Sequence, residues 1–314
     1  MKILIYGAGV IGSIYAAKLF EAKNDVRLLA RGKRLESLQQ NGVVTREQLT
    51  GKKITVHIPL IKQLAANDSY DLIIVTVRLD QLKSVVTDLK NNNGSSLVML
   101  MLNNPENLPS LAKELKPKYL LFGFPGVGGI MKNDEIDFVQ IKQQKTTIGD
   151  INRIESPILE TIKSLFEKAG FETTISDNMD AWLKTHAIFI ACICASIIKE
   201  NGDSIQLGKN KKSIKSMVKS IKEGFKAMKN LGIPIKPFNL KLIFLIMPEW
   251  FSIRYWQKAI QSEMGTLAIA PHANAAKKEM QLLAKKVLEI VHSSSFPTPE
   301  LNKLLSEFIN LPSQ

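Results

Sequence analysis

The sequence predicts an α/β N-terminal domain followed by a mostly α-helical C-terminal domain. Three observations carry this. Short β-branched runs alternate with amphipathic segments over residues 1–150, a glycine-rich turn directly follows the first run, and helical periodicity dominates the rest of the chain. Such alternation is the pattern of a parallel sheet covered by helices. With 314 residues, 45% of them hydrophobic, the chain is long enough to bury two modest cores.

Strands are expected at residues 2–6, 26–29, 54–58, 72–77, 97–102 and 119–124, with 137–141 and 145–148 as an antiparallel edge pair. An amphipathic helix at 158–168 and a short extended piece at 172–175 follow. The boundary is placed near Ser176, giving domains of residues 1–175 and 176–314. Beyond it, Ile214, Met217, Ile221, Phe225 and Met228 recur at helical spacing. Lys211, Lys212, Lys215, Lys219, Lys222, Lys226 and Lys229 fill the other face, which reads as a solvated side. The apolar stretches 187–198 and 242–247 fall short of the ~20 residues a bilayer crossing needs and are expected as buried core helices.

The 42 Lys plus Arg against 29 Asp plus Glu leave a formal charge of +13, which attracts phosphates, acidic small molecules, nucleic acid or an anionic membrane surface. Charge alone does not choose among them. The lysine-rich helix lacks aromatic residues interleaved on its basic face, so neither nucleic acid nor membrane is the expected partner. Cys192 and Cys194 provide neither a disulfide framework nor a four-ligand zinc set. No metal site is expected, and a reducing cytoplasm is the expected compartment. The N-terminal apolar run is too short for a signal peptide and reads as the first strand.

Immediately after that strand comes Gly7-Ala8-Gly9-Val10-Ile11-Gly12, then a helix-compatible run. Gly7 permits a tight turn, Gly9 lets the backbone approach a pyrophosphate, and Gly12 lets the helix pack on the strand with its N-terminus facing the negative charge. This is the arrangement of a Rossmann domain holding a dinucleotide. About 20 residues on, where an NAD enzyme places an acidic residue for the ribose hydroxyls, the chain has Ala30-Arg31-Gly32-Lys33-Arg34. A guanidinium binds the 2′-phosphate that a carboxylate would repel, so NADP(H) is favoured, with Arg31 as its contact.

From these residues onward the chain resembles the ketopantoate reductase family over nearly its whole length. Thr76-Val77-Arg78 is similar to the family's Thr-x-Lys element near the cofactor, with arginine in place of lysine. Asn103, in Leu102-Asn103-Asn104-Pro105-Glu106, matches the asparagine that the family places between nicotinamide and substrate. Gly126, Gly128 and Gly129, then Thr147-Ile148-Gly149, resemble the family's remaining turns and closing edge strand. In Asp180-Ala181-Trp182-Leu183-Lys184, the resemblance implies that Lys184 is the general acid of carbonyl reduction. Apolar surroundings would lower the pKa of such a lysine and let it give up a proton. Glu279, upstream of Phe296-Pro297-Thr298-Pro299, resembles the family's substrate-side glutamate, which would orient the substrate or hold Lys184 protonated.

The pattern breaks where the family carries asparagines four and eight residues after the lysine, because Ile188 and Cys192 stand there. A site without those amides leaves the polar groups of ketopantoate unpaired. Leu267 likewise replaces an expected serine, and nearby His272 lies seven residues before Glu279, close enough to share a helical face and touch substrate. His186 reads as packing, and Cys192 as a small core residue. The run 238–256, rich in Phe, Leu, Ile and Trp, suggests an apolar wall. Together these features imply an NADPH-dependent reductase of 2-dehydropantoate or a related, less polar 2-oxo acid or ketone. The other reading is a non-catalytic NADP(H)-binding sensor or scaffold. A homodimer through the apolar second domain is the oligomer that the resemblance suggests.

Overall fold

A computed structural model of the chain describes residues 1–95, 97–115, 118–140, 144–151 and 156–312. The strands are β1 (Lys2–Tyr6), β2 (Asp25–Leu29), β3 (Val43–Glu47), β4 (Lys53–Val56), β5 (Leu60–Ile61), β6 (Leu72–Val75), β7 (Leu97–Met101), β8 (Tyr119–Phe124), β9 (Val127–Lys132), β10 (Glu135–Gln140), β11 (Thr146–Gly149) and β12 (Thr173–Ile175). Helices of the first half are α1 (Val10–Glu21), α2 (Gly32–Asn41), α3 (Leu82–Asn91), α4 (Leu108–Glu114) and α5 (Pro157–Lys168). Those of the second half are α6 (Met179–Lys199), α7 (Ser204–Lys209), α8 (Lys211–Asn230), α9 (Phe238–Lys241), α10 (Glu249–Ala259), α11 (Ala270–Ala275), α12 (Lys277–His292) and α13 (Pro299–Ile309). The chain divides into two compact units, residues 1–102 with 107–179, and residues 103–106 with 180–314.

The first unit is built on an eight-stranded sheet of order β12-β11-β8-β7-β6-β1-β2-β5, parallel throughout except where β11 runs against β8. Its central strands β6 and β7 are continuous apolar runs, Leu-Ile-Ile-Val and Leu-Val-Met-Leu-Met, with every residue buried, because a parallel sheet is covered on both faces. Helix α1 packs on one face through Ile14, Tyr15 and Leu19. The Tyr15 ring stacks on Phe171 at 4.1 Å and meets Phe166 edge-on at 5.5 Å, so the glycine turn ahead of α1 rests on a rigid aromatic anchor.

The expected edge pair is not formed. Residues of β10 pair antiparallel with β9 and parallel with β3 in a separate four-stranded sheet of order β4-β3-β10-β9, while β11 joins the large sheet. The cause is a two-residue turn, Asn133-Asp134, with both φ positive at 48° and 67°. That geometry closes a tight hairpin between β9 and β10, so Gly128 and Gly129 are strand residues and not turns. Of the expected strand 137–141, Ile141 lies outside the described residues. The strand expected at 54–58 appears as β4, paired with β3 in the small sheet.

The second unit packs around α6. At 21 residues this helix is long and apolar enough to cross a bilayer, longer than its apolar stretch suggested, yet 89% of its apolar window is buried among its neighbours, as in a core helix. Phe189, Phe225, Phe244 and Trp256 form one aromatic cluster beneath it. The run 242–247 departs from the core helix expected of it. Residues Leu242–Ile246 form a π-helical turn in which Phe244 is buried and Ile246 is exposed. The apolar wall therefore has two sides: Leu240, Phe244, Ile253 and Trp256 face the core, while Phe238 and Trp250 are 61% and 67% exposed.

Candidate active site

The turn from β1 into α1 can be built from sterics alone. Gly7 has φ +117°, and a Cβ there would lie 3.0 Å from the Thr76 carbonyl oxygen. At Gly12 a Cβ would sit 1.9 Å from the Gly7 carbonyl oxygen and 2.4 Å from Thr76 Oγ1, so the helix approaches the turn as closely as it does only because no side chain intervenes. Thr76 ties the arrangement together by donating its hydroxyl to the Gly7 carbonyl at 3.0 Å. Gly9, the N-cap of α1, is different: nothing lies within 4 Å of where its Cβ would be. Ala8 is buried, Val10 and Ile11 are half-buried, and the first turn of α1 carries no acidic side chain. An open backbone surface in front of an uncapped helix N-terminus fits the pyrophosphate of a dinucleotide.

A side chain from α2 braces this turn. Arg34, only 16% exposed, donates from Nε to the Ala8 carbonyl at 3.2 Å and from Nη2 to Ser13 Oγ at 3.3 Å. It fixes the turn from the side of α2, whereas Lys33 is exposed. Arg31 stands at the end of β2 as the N-cap of α2, the position a ribose contact requires. Its Nη2 donates to the Tyr6 hydroxyl at 2.9 Å and to Asp88 Oδ2 at 3.0 Å, and its Nε to the Lys62 carbonyl at 3.3 Å. Tyr6 in turn donates to Asp88. Burial, and then the Asp88 carboxylate, push the Tyr6 hydroxyl up to about 12. Burial works against the Arg31 cation, but the bond to Asp88 and the nearness of Tyr6 hold it above its usual value. Arg78 caps the short 3₁₀ turn Leu79–Gln81 ahead of α3, and its guanidinium meets Asp80 at 3.2 Å.

In the second unit, Lys184 lies one turn after Asp180 on α6, and the two side chains form an ion pair. The Lys184 side chain is 12% exposed. Asp180 is thus an acidic partner of Lys184, and its i,i+4 spacing was visible in the sequence. Glu279 occupies the first turn of α12. Its charge helps to raise the Cys194 thiol, which burial mainly pushes up to about 12. Cys194 is ten residues, about 15 Å of helix, along α6 from Lys184.

The loop 103–106 separates its two asparagines. Asn104 is buried and shapes the loop, its Oδ1 accepting from the Glu106 amide at 3.0 Å. Asn103 Oδ1 is buried with no hydrogen-bond partner among the described residues, an acceptor left open for something else. Lys286 of α12 holds Glu106 at 3.4 Å.

His272 and Glu279 do not share a helix, because the chain breaks between α11 and α12 at Ala276, where φ is −113° and ψ is 30°. Burial pushes the His272 imidazole down. His186 stacks on Trp182 with centroids 5.1 Å apart, and burial, reinforced by His272, pushes it down to about 3. Ile188 and Cys192 are wholly buried. Ile188 packs so tightly on α8 that a Cβ at Gly224 would lie 2.6 Å from its Cγ2. Burial raises the Cys192 thiol well above its ordinary value, which leaves it inert as a nucleophile.

Comparison with known proteins bears on the fold and the family. Residues 3–153 match the family described as ketopantoate reductase PanE/ApbA. A 2-dehydropantoate 2-reductase of Pyrococcus horikoshii is 28% identical over 253 residues, covering 76% of this chain and 78% of that protein. A 2-dehydropantoate 2-reductase structure from Geobacter metallireducens superposes with a TM-score of 0.79 at 15% identity, over 98% of this chain and 99% of the other. A D-mandelate dehydrogenase with bound NADH and anilino(oxo)acetate superposes with a TM-score of 0.78 at 16% identity, over 98% and 97%. At those identities the two structures speak for the fold.

Proposed function

We propose that this chain, whose residues 3–153 match the ketopantoate reductase family, uses NADPH to reduce the carbonyl of a small 2-oxo acid, with Lys184 as the proton donor. The observation that carries the proposal is the Lys184 ammonium, held largely out of water with the Asp180 carboxylate one turn away. A largely buried ammonium held in one direction by a neighbouring carboxylate is positioned as a general acid. NADPH, when bound, would supply the hydride that the carbonyl carbon takes up. Lys184 gives a proton from Nζ to the carbonyl oxygen, is left as a neutral amine, and regains a proton from solvent.

Gly7, Gly9 and Gly12, with the backbone of Ala8, Val10 and Ile11, are proposed to hold the pyrophosphate. Arg31 and Arg78 are proposed to hold the cofactor phosphates, and the open Oδ1 of Asn103 to accept a hydrogen bond from cofactor or substrate. Glu279 and His272 are proposed on the substrate side. The preference for NADPH over the NADH seen in the D-mandelate dehydrogenase complex rests on Arg31 standing where an acidic residue would select NADH.

For the substrate, Ile188 and Cys192 offer no amides to polar hydroxyls, which supports an acid less polar than ketopantoate. A homodimer is proposed on the family resemblance, and sedimentation equilibrium distinguishes it from a monomer. The reaction is tested by steady-state oxidation of NADPH with a panel of 2-oxo acids running from ketopantoate to phenylglyoxylate. Faster turnover of the apolar members is expected. Efficient turnover of ketopantoate alone would overturn the substrate preference, and no turnover of any member would overturn the reaction.

A further inference from the structure

We propose that Asp88 is a specificity-determining residue that narrows the preference for NADPH over NADH by engaging the Arg31 guanidinium. The inference rests on the nicotinamide-cofactor reading above and concerns residues of the first unit only.

Arg31 has five N–H donors in a fixed planar fork. Nε is committed to the Lys62 carbonyl, and the two hydrogens of Nη2 to the Tyr6 hydroxyl and Asp88 Oδ2. Its guanidinium carbon also lies 5.8 Å from the ring centroid of Tyr6 on β1. Among the described residues only the Nη1 edge has no partner. A 2′-phosphate gripped by two parallel N–H bonds needs two adjacent nitrogens, and the second can only be Nη2. Binding therefore asks Nη2 to give up Tyr6 or Asp88, and in the first case places a phosphate dianion beside a carboxylate that is 3.0 Å from the same nitrogen.

A 2′-hydroxyl meets neither difficulty. It is neutral, and it can donate to Asp88 Oδ1, for which the described residues offer no donor. Asp88 thus penalises the phosphate and not the hydroxyl. Tyr6 adds to this by donating to the carboxylate and fixing its orientation. The side chains of Arg31 and Asp88 are half exposed and one-third exposed, so the penalty is moderated by solvent and salt and does not exclude NADPH.

The test is an equilibrium titration of the full chain with NADPH and with NADH, followed by cofactor fluorescence, for the wild type, Asp88→Asn, Arg31→Ala and the double variant. Asp88→Asn is expected to tighten NADPH binding by about three- to tenfold and to leave NADH unchanged or slightly weaker, since the amide oxygen still accepts from the 2′-hydroxyl. The gain should vanish in the Arg31→Ala background and shrink at high salt. If Asp88 only docked α3 onto β1, both cofactors would weaken together, and that result, like weaker NADPH binding alone or no change, overturns the inference. Asp88→Ser serves if the amide variant fails to fold. A wild-type chain that binds neither cofactor would instead sink the nicotinamide reading and the inference with it.

Discussion

Replacing Gly12 and Gly9 by alanine, one at a time, separates packing from binding in the turn. At Gly12 the new Cβ would sit 1.9 Å from the Gly7 carbonyl oxygen and 2.4 Å from Thr76 Oγ1. Neither neighbour is the free end of a flexible chain, so α1 must move off β1 by about 1 Å, since carbon–oxygen contacts need about 3 Å or more. That shift disturbs the wholly buried Ile14, Tyr15 and Leu19. Overpacking of this kind costs about 1–3 kcal/mol, and clashes on two sides place Gly12→Ala at the upper end. For a unit the size of the first, residues 1–102 with 107–179, about 3 kcal/mol lowers Tm by roughly 6–12 °C.

At Gly9 the backbone, with φ −73° and ψ −168°, is open to alanine and nothing lies within 4 Å. Loss of glycine at an N-cap costs about 1 kcal/mol or less, and the stiffer unfolded chain returns about 0.4–1 kcal/mol. Tm should therefore barely move. The methyl group, however, occupies the space in front of the α1 N-terminus, and the NADPH Kd is expected to rise about tenfold or more, the equivalent of about 1.4 kcal/mol. Thermal unfolding and fluorescence titration read the two effects. Unchanged NADPH affinity in Gly9→Ala, or an unchanged Tm in Gly12→Ala, would refute the reasoning.

Lys184→Ala should lower kcat by about 10²–10⁴-fold while the NADPH Kd stays that of the wild type, and Asp180→Asn should give a smaller loss in the same steady-state assay. Ile188→Asn, which restores the amide the family carries, is expected to cost about 2–4 kcal/mol in urea unfolding, because the wholly buried side chain packs against Gly224 and leaves an amide no room or partner. His186 sets an acid limit on stability: its folded value is depressed from 6.5 to about 3, so stability is fully present above pH 6.5 and is lost as the pH falls toward 3. The expected slope for a single group is about 1.4 kcal/mol per pH unit, and His186→Phe should flatten the acid limb measured by denaturant titration.

Local signals were the legible ones. The step from a β-branched run into Gly7, Gly9 and Gly12 is written in twelve consecutive residues, and sterics between near neighbours decide it. Likewise the i,i+4 pairing of Asp180 with Lys184 follows from helix geometry once α6 is recognised. Long-range choices were not legible. The Asn133-Asp134 turn lacks the glycine that usually announces a two-residue hairpin, so β9 read as turns and β10 was given the wrong partner. Asp88 reaches Tyr6 across 82 residues, and nothing local to either marks the contact. Arg34 looked like one more cation in a basic run until α2 turned it inward onto Ala8. The seven-residue spacing of His272 and Glu279 suggested a shared face, but the break at Ala276 sets them on separate helices.

Hydride transfer to a 2-oxo acid is tested most directly by following deuterium from NADPH labelled at the nicotinamide C4 position into the products formed from a panel of 2-oxo acids. The expected result is a 2-hydroxy acid carrying one deuterium on its carbinol carbon, formed by the wild type and almost lost in Lys184→Ala. Cofactor that binds yet delivers no deuterium to any acid of the panel would contradict it.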